Sequence, residues 1–172
     1  MLIQASILNC SLQTQDKLIM GSKGLIVGGR VQAQNGIDVY QVGSAQGAKA
    51  ELVCGMDFEV LDKVVWARDQ CLSLIKQMKT LEGLKKTEPS HVASLDSAIV
   101  RLRDQVRKLS EFSRAMSAKV DRNDEAAVVV RGLAHSGTYI EICHISYIVS
   151  RPMGRVRFVL DKRRGAVKPV PL

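Results

Sequence analysis

Between Val60 and Val120 the apolar positions recur at alternating steps of four and three. Val60, Val64, Ala67, Cys71, Leu74, Met78 and Leu81 form one such series. Val92, Leu95, Ile99, Leu102, Val106, Leu109, Met116 and Val120 form a second, with Ser113 its one polar member. A repeat of about 3.5 residues keeps one narrow stripe of a helix facing a partner, the seam of a left-handed coiled coil. Leu84-Lys85-Lys86-Thr87-Glu88-Pro89-Ser90 supplies the turn between the two helices. Pro89 cannot continue the first helix, and Ser90 suits the N-cap of the second. So short a connection makes the arms antiparallel, so the segments on either side are predicted to lie next to each other.

Residues 1–54 carry no helical period. Short apolar groups alternate with turn-formers: Ile7-Leu8, Leu18-Ile19-Met20, Leu25-Ile26-Val27, Ile37 with Val39, and Leu52-Val53 stand between Gly21-Ser22, Gly28-Gly29, Asn35-Gly36 and Gly43-Ser44. Breaks this frequent are too close for a sandwich, whose turn signals come every 8–12 residues or about that. They fit a β-helix, with glycine at the corners and a thin core of stacked aliphatic side chains. Strand character resumes after the polar break Arg122-Asn123-Asp124-Glu125. Val128-Val129-Val130 is β-branched, Gly132 is a corner, and Thr138 to Ile142 alternates. Pro152-Met153-Gly154 reads as a tight turn, Arg155 to Asp161 as a half-exposed strand, and Lys162 to Leu172 as a mobile, proline-punctuated tail. The predicted fold is mixed β plus α: a right-handed β-helix, or β-solenoid, interrupted by a long antiparallel coiled-coil hairpin. Its parts are residues 1–55 with 122–160, residues 56–121, and a basic tail over 161–172.

Composition narrows this picture. Aromatic residues are only 4% of the 172, which a slender solenoid tolerates better than a globular core. No apolar run approaches the ~18 residues of a membrane helix. The N-terminus has neither a basic region nor a sustained apolar stretch of the secretory kind. Cys10, Cys54, Cys71 and Cys143 are scattered, as expected of apolar residues in a reducing, cytoplasmic compartment. Of the net charge of +8, +5 lies in residues 122–172.

Candidate chemistry is sparse. His135, Cys143 and His144 have no zinc spacing, and adjacent residues of one strand face opposite ways. His91 falls in the hairpin turn. Ser136 beside His135 lacks the strand-to-helix elbow of a hydrolase nucleophile. Gly24 to Arg30 is glycine-rich but has no phosphate-loop lysine and no following helix. A hexapeptide acyltransferase would show a stricter six-residue period. No cofactor, metal or catalytic residue is therefore assigned. Arg151, Arg155, Arg157, Lys162, Arg163, Arg164 and Lys168 remain as a candidate surface for an anionic partner. Only Tyr147 and Phe158 lie near them, too few rings for base stacking. Charge that blocks edge-to-edge strand pairing explains the segment equally well.

The order of motifs resembles a known family. Lys23-Gly24-Leu25-Ile26-Val27-Gly28-Gly29-Arg30 is followed by Val42-Gly43-Ser44, by the hairpin, and then by Val130-Arg131-Gly132-Leu133-Ala134-His135-Ser136-Gly137-Thr138-Tyr139-Ile140-Glu141-Ile142. From about Ile7 to Leu160 this is similar to the flagellar assembly protein A family, with its I-x-G-G rung, helical hairpin and V-x-G-x-x-x-x-G-v-x-I-x-I return. Members carry more β-helix before the equivalent of Ser6, so their N-terminal functions are not carried over. The resemblance implies a bacterial scaffold that helps build or place flagella. The expected partners are proteins, first a second copy of the chain in a homodimer. Nucleic acid held by the basic C-terminal strands is the rival.

Overall fold

In the computed structural model, residues 1–3, 6–87 and 92–172 are described. They divide into two compact units, Met1–Phe58 with Asp121–Leu172, and Glu59–Val120. No helix among the described residues is long and apolar enough to cross a membrane.

The first unit is a coil of short strands. β1 (Leu2–Ile3), β2 (Ile7–Leu8) and β3 (Ser11–Thr14) make its first turn. β4 (Leu18–Met20), β5 (Leu25–Val27) and β6 (Gly29–Ala33) make the second, and β7 (Ile37–Val39), β8 (Gln41–Val42) and β9 (Ala50–Cys54) the third. β10 (Ala127–Ala134) and β11 (Tyr139–Ile142) make the fourth. β10 serves two sides of the coil: Val128 to Val130 pair with β7, and Ala134 pairs with β8. All these pairings are parallel, and they stack like on like. Leu18, Ile37 and Val128 align, as do Ile7, Ile26, Val42 and Ala134. Leu12, Val31, Leu52 and Ile140 form a third inward row. Apart from half-buried Leu12, every one is buried. Each residue covers its counterpart in the next turn, which is how so few rings suffice.

Glycine is required where turns approach closely. Gly29 has φ +74°, and a Cβ there would sit 2.2 Å from the Cys10 carbonyl oxygen. The corner after β3, β6 and β9 is stitched by side chains instead. Asn35 Nδ2 donates to the Gln15 carbonyl at 3.3 Å, and Asn123 Nδ2 donates to Asn35 Oδ1 at 3.1 Å. At this corner the third turn leaves for the helices and the fourth begins. The Gly55 carbonyl accepts the N–H groups of both Arg122 and Asn123, each at 3.0 Å. Met56 bridges Asp121.

The end of the coil departs from expectation. Lys162 to Leu172 is no mobile tail: Ala166–Pro171 is a strand, β14. It pairs antiparallel with β13 (Met153–Asp161), which pairs antiparallel with β10. β12 (Ile145–Ile148) likewise turns back on β11. A coil that ends by reversing strand direction offers no parallel edge to a further turn. Phe158 is fully buried in this cap, its ring centroid 5.5 Å from that of Tyr147. Pro152-Met153-Gly154 is not a turn either, since β13 already begins at Met153. Cys143 and His144 are not strand residues; they form the two-residue turn between β11 and β12, with φ of 49° and 64°. Both angles are positive because only such a turn matches the right-handed twist of its strands.

The second unit is the hairpin of α1 (Phe58–Thr87) and α2 (Val92–Ser117). Its arms run antiparallel: Trp66 and Phe112 line one groove, the Cys71 thiol lies 3.7 Å from the Val106 carbonyl, and Lys85 pairs with Asp96. Every seam residue named from the sequence is buried or half-buried. Leu72 and Val100, outside the seam, are exposed. Glu88 to His91, which include the expected proline stop and serine cap, lie outside the described residues.

Candidate basic surface of the terminal strands

β13 places its residues by simple alternation. Val156 and Phe158 point into the core, and Arg157 between them faces solvent. The alternation is disturbed at Arg155. Between Val130 and Leu133 the register of β10 against β13 shifts by one residue, a β-bulge opposite Arg155. Arg155 responds with φ +47°, outside the range a side-chain-bearing residue prefers.

The basic residues do not form one patch. Arg151 and Arg155 line a cleft of ≈ 480 Å³ together with Met153, Val156, Pro169 and Pro171. Lys162, Arg163 and Arg164 occupy the turn between β13 and β14 and line a second hollow with Asp161 and Lys168. Strand rise separates the two groups by about 25 Å. Arg157 lies between them.

Local carboxylates neutralise part of the second group. Asp161 Oδ2 accepts from Lys168 Nζ at 2.9 Å, while its Oδ1 accepts the backbone N–H groups of Arg163 and Arg164 at 3.1 and 3.3 Å. The Lys168 hydrogen bond is the largest cause holding the Asp161 carboxyl below its ordinary range. Lys162 Nζ lies 2.6 Å from Asp124, which raises the lysine pKa. Among the described residues no ion pair engages Arg151, Arg155, Arg157, Arg163 or Arg164.

One charged group escaped the sequence reading. Arg131 Nη2 lies 2.6 Å from Asp38 Oδ2, and Asp38 is only 7% exposed. Asp38 Oδ1 is buried without a partner. The available signal was an aspartate between Ile37 and Val39 in an otherwise aliphatic strand.

The remaining candidates are structural in their contacts. His135 Nε2 lies 3.0 Å from Gln41 Nε2, and the His135 carbonyl accepts from the Thr138 hydroxyl at 2.8 Å. His144 sits 3.6 Å from Asp121. Among the described residues no group of three or more histidine, cysteine or acidic side chains has the arrangement of a metal site. Cys54 and Cys143 are buried thiols beside the hairpin corner. Burial pushes Cys54 up to about 12, helped by Cys143, and pushes Cys143 up to about 11. Such groups are poor nucleophiles near neutral pH.

Residues 1–166 match the family model described as the Flagellar Assembly Protein A beta solenoid domain. No curated protein and no solved structure matches.

Proposed function

The chain belongs to the Flagellar Assembly Protein A β-solenoid family, and on that premise we propose that it is a non-catalytic scaffold of flagellar assembly. Membership over residues 1–166 associates it with that process and carries the reading. What supports a scaffold over an enzyme is how the coil uses its interior. Leu18, Ile26, Ile37, Leu52 and Ile140 are fully buried inside it, so the fold uses its inward positions for a core and its outward ones for surfaces. The two buried thiols are held protonated at neutral pH. In this reading the protein works in the bacterial cytoplasm and binds other proteins, its own copies included. Among the described residues β1, β2 and β3 each pair with one neighbouring strand, and their other edge is one that a second copy can pair with.

The test is deletion in a flagellated host followed by graded re-expression, with flagella counted by electron microscopy. A scaffold acts in proportion to its amount, so flagellation rises with dose across the whole range. An enzyme restores it at a small fraction of the native level. Normal flagella in the deletion strain overturn the reading.

A further inference from the structure

We propose that the cleft beside Arg155, opposite the bulge in β10, receives a carboxylate side chain flanked by apolar residues, presented by a segment of a protein partner. The inference rests on the scaffold reading and names where, and with what chemistry, one partner is held.

Its lining combines two kinds of residue. Arg151 and Arg155 are exposed and outside any ion pair among the described residues. A guanidinium offers a planar fork of donors that fits a carboxylate with two parallel hydrogen bonds. The rest of the lining is largely apolar, Met153, Pro169 and Pro171 among it. At ≈ 480 Å³ the cleft suits a few side chains rather than a whole helix.

The backbone at Arg155 is held from two sides. A non-glycine residue at φ +47° costs on the order of 1 kcal/mol and persists only where neighbours impose it. Here the bulge in β10 imposes it from one side. From the other, the N–H of Leu172 donates to the Arg155 carbonyl at 2.9 Å. The same hydrogen bond fixes what β14 offers at its free edge. If Leu172 directs its N–H to β13, so do Val170 and Lys168, and Pro169 and Pro171 fall on the outward side. Proline has no N–H to give, so a partner cannot add to this edge as a full strand. It is held by side chains, which the cleft provides.

A nucleic acid fits less well. A phosphate backbone is tracked by a continuous basic row, whereas Arg163 and Arg164 lie about 25 Å along the strand. Phe158 is buried and presents no face for a base.

The test uses the full chain and three fluorescein-labelled probes followed by polarisation. They are a short peptide alternating leucine and glutamate, its leucine–glutamine counterpart, and a single-stranded oligonucleotide. The glutamate peptide should bind, and the glutamine peptide should bind about tenfold more weakly or worse. Arg151→Ala with Arg155→Gly should cost the glutamate peptide about tenfold or more in affinity. Glycine accepts the positive φ, so this variant should melt no lower than the parent. Arg163→Ala with Arg164→Ala should change peptide affinity by less than about twofold. Equal binding of both peptides, no binding of either, or equal loss from both variants overturns the proposal. An oligonucleotide that binds more tightly than the glutamate peptide, and releases steeply with salt, replaces it with a nucleic-acid site. Any of these failures leaves the scaffold reading to the dose response of flagellation.

Discussion

Asn123 donates from Nδ2 to Oδ1 of Asn35 at 3.1 Å, although 88 positions separate them in sequence. The bond ties the start of the fourth turn to the corner of the second, on the far side of the hairpin in chain order. The corner therefore closes on residues that flank the helices rather than on the helices themselves.

Excising Glu59 to Val120 and joining the ends with a short glycine-rich linker should leave a folded solenoid. Closing a shorter loop costs less entropy, and each doubling of length costs only about 0.6 kcal/mol. Circular dichroism should lose its helical bands and keep the β band, with one cooperative melt. A chain without cooperative unfolding would mean that the coil needs the hairpin.

Leu102 lies in the seam, half-buried against the facing arm. Leu102→Asp puts a charge there at a cost of about 3 kcal/mol. Helical signal should fall while the β signal persists. Unchanged helicity would show the seam to be elsewhere.

Arg131→Met removes the ion-pair partner of the buried Asp38 carboxylate. The loss should destabilise the solenoid by about 2 kcal/mol, the scale of a hydrogen bond to a charged group. Adding Asp38→Leu should restore most of it, since an apolar pair leaves no buried charge unpaired. Urea denaturation of the four chains of this cycle measures the coupling, and additive effects would show that the pair contributes nothing.

Buried thiols set an alkaline limit. Well below pH 9.0, the ordinary value, folded and unfolded chains both keep Cys54 protonated, and its contribution does not vary. As pH passes through 9.0 the unfolded chain ionises first, and stability falls as pH rises towards about 12. The slope from Cys54 is at most about 1.4 kcal/mol per pH unit. Cys54→Ala should flatten it. Iodoacetamide at pH 8 should label exposed Cys10 well before Cys54, and equal labelling would contradict the burial.

The one-sided strands β1 to β3 should pair with a second copy. Sedimentation at low micromolar concentration should give a dimer. Leu2→Lys with Leu8→Lys, both exposed positions beside that edge, should return it to monomer without loss of β signal. A dimer unaffected by these changes would place its interface on the hairpin.

Much of the architecture was legible because its signals are local. A heptad seam is written in residues three and four apart, and every seam position from Val60 to Val120 is shielded as that period requires. Gly28-Gly29 and Asn35-Gly36 mark corners because positive φ and close approach demand those residues wherever they occur. The division of the basic residues was not legible, because a β-bulge and the sense of strand pairing set it. Lys162 to Leu172 reads as a tail from its prolines and charge. It is a strand because β13 offers an antiparallel edge on which those prolines face outward. The Cys143–His144 turn carries no glycine or asparagine; the register of β11 on β12 forces its positive angles. Arg131 finds Asp38 only because parallel stacking brings β7 beside β10. Periodicity within a segment is a property of the sequence. Which edges meet is a property of the folded coil, and that decided the cap and the cleft.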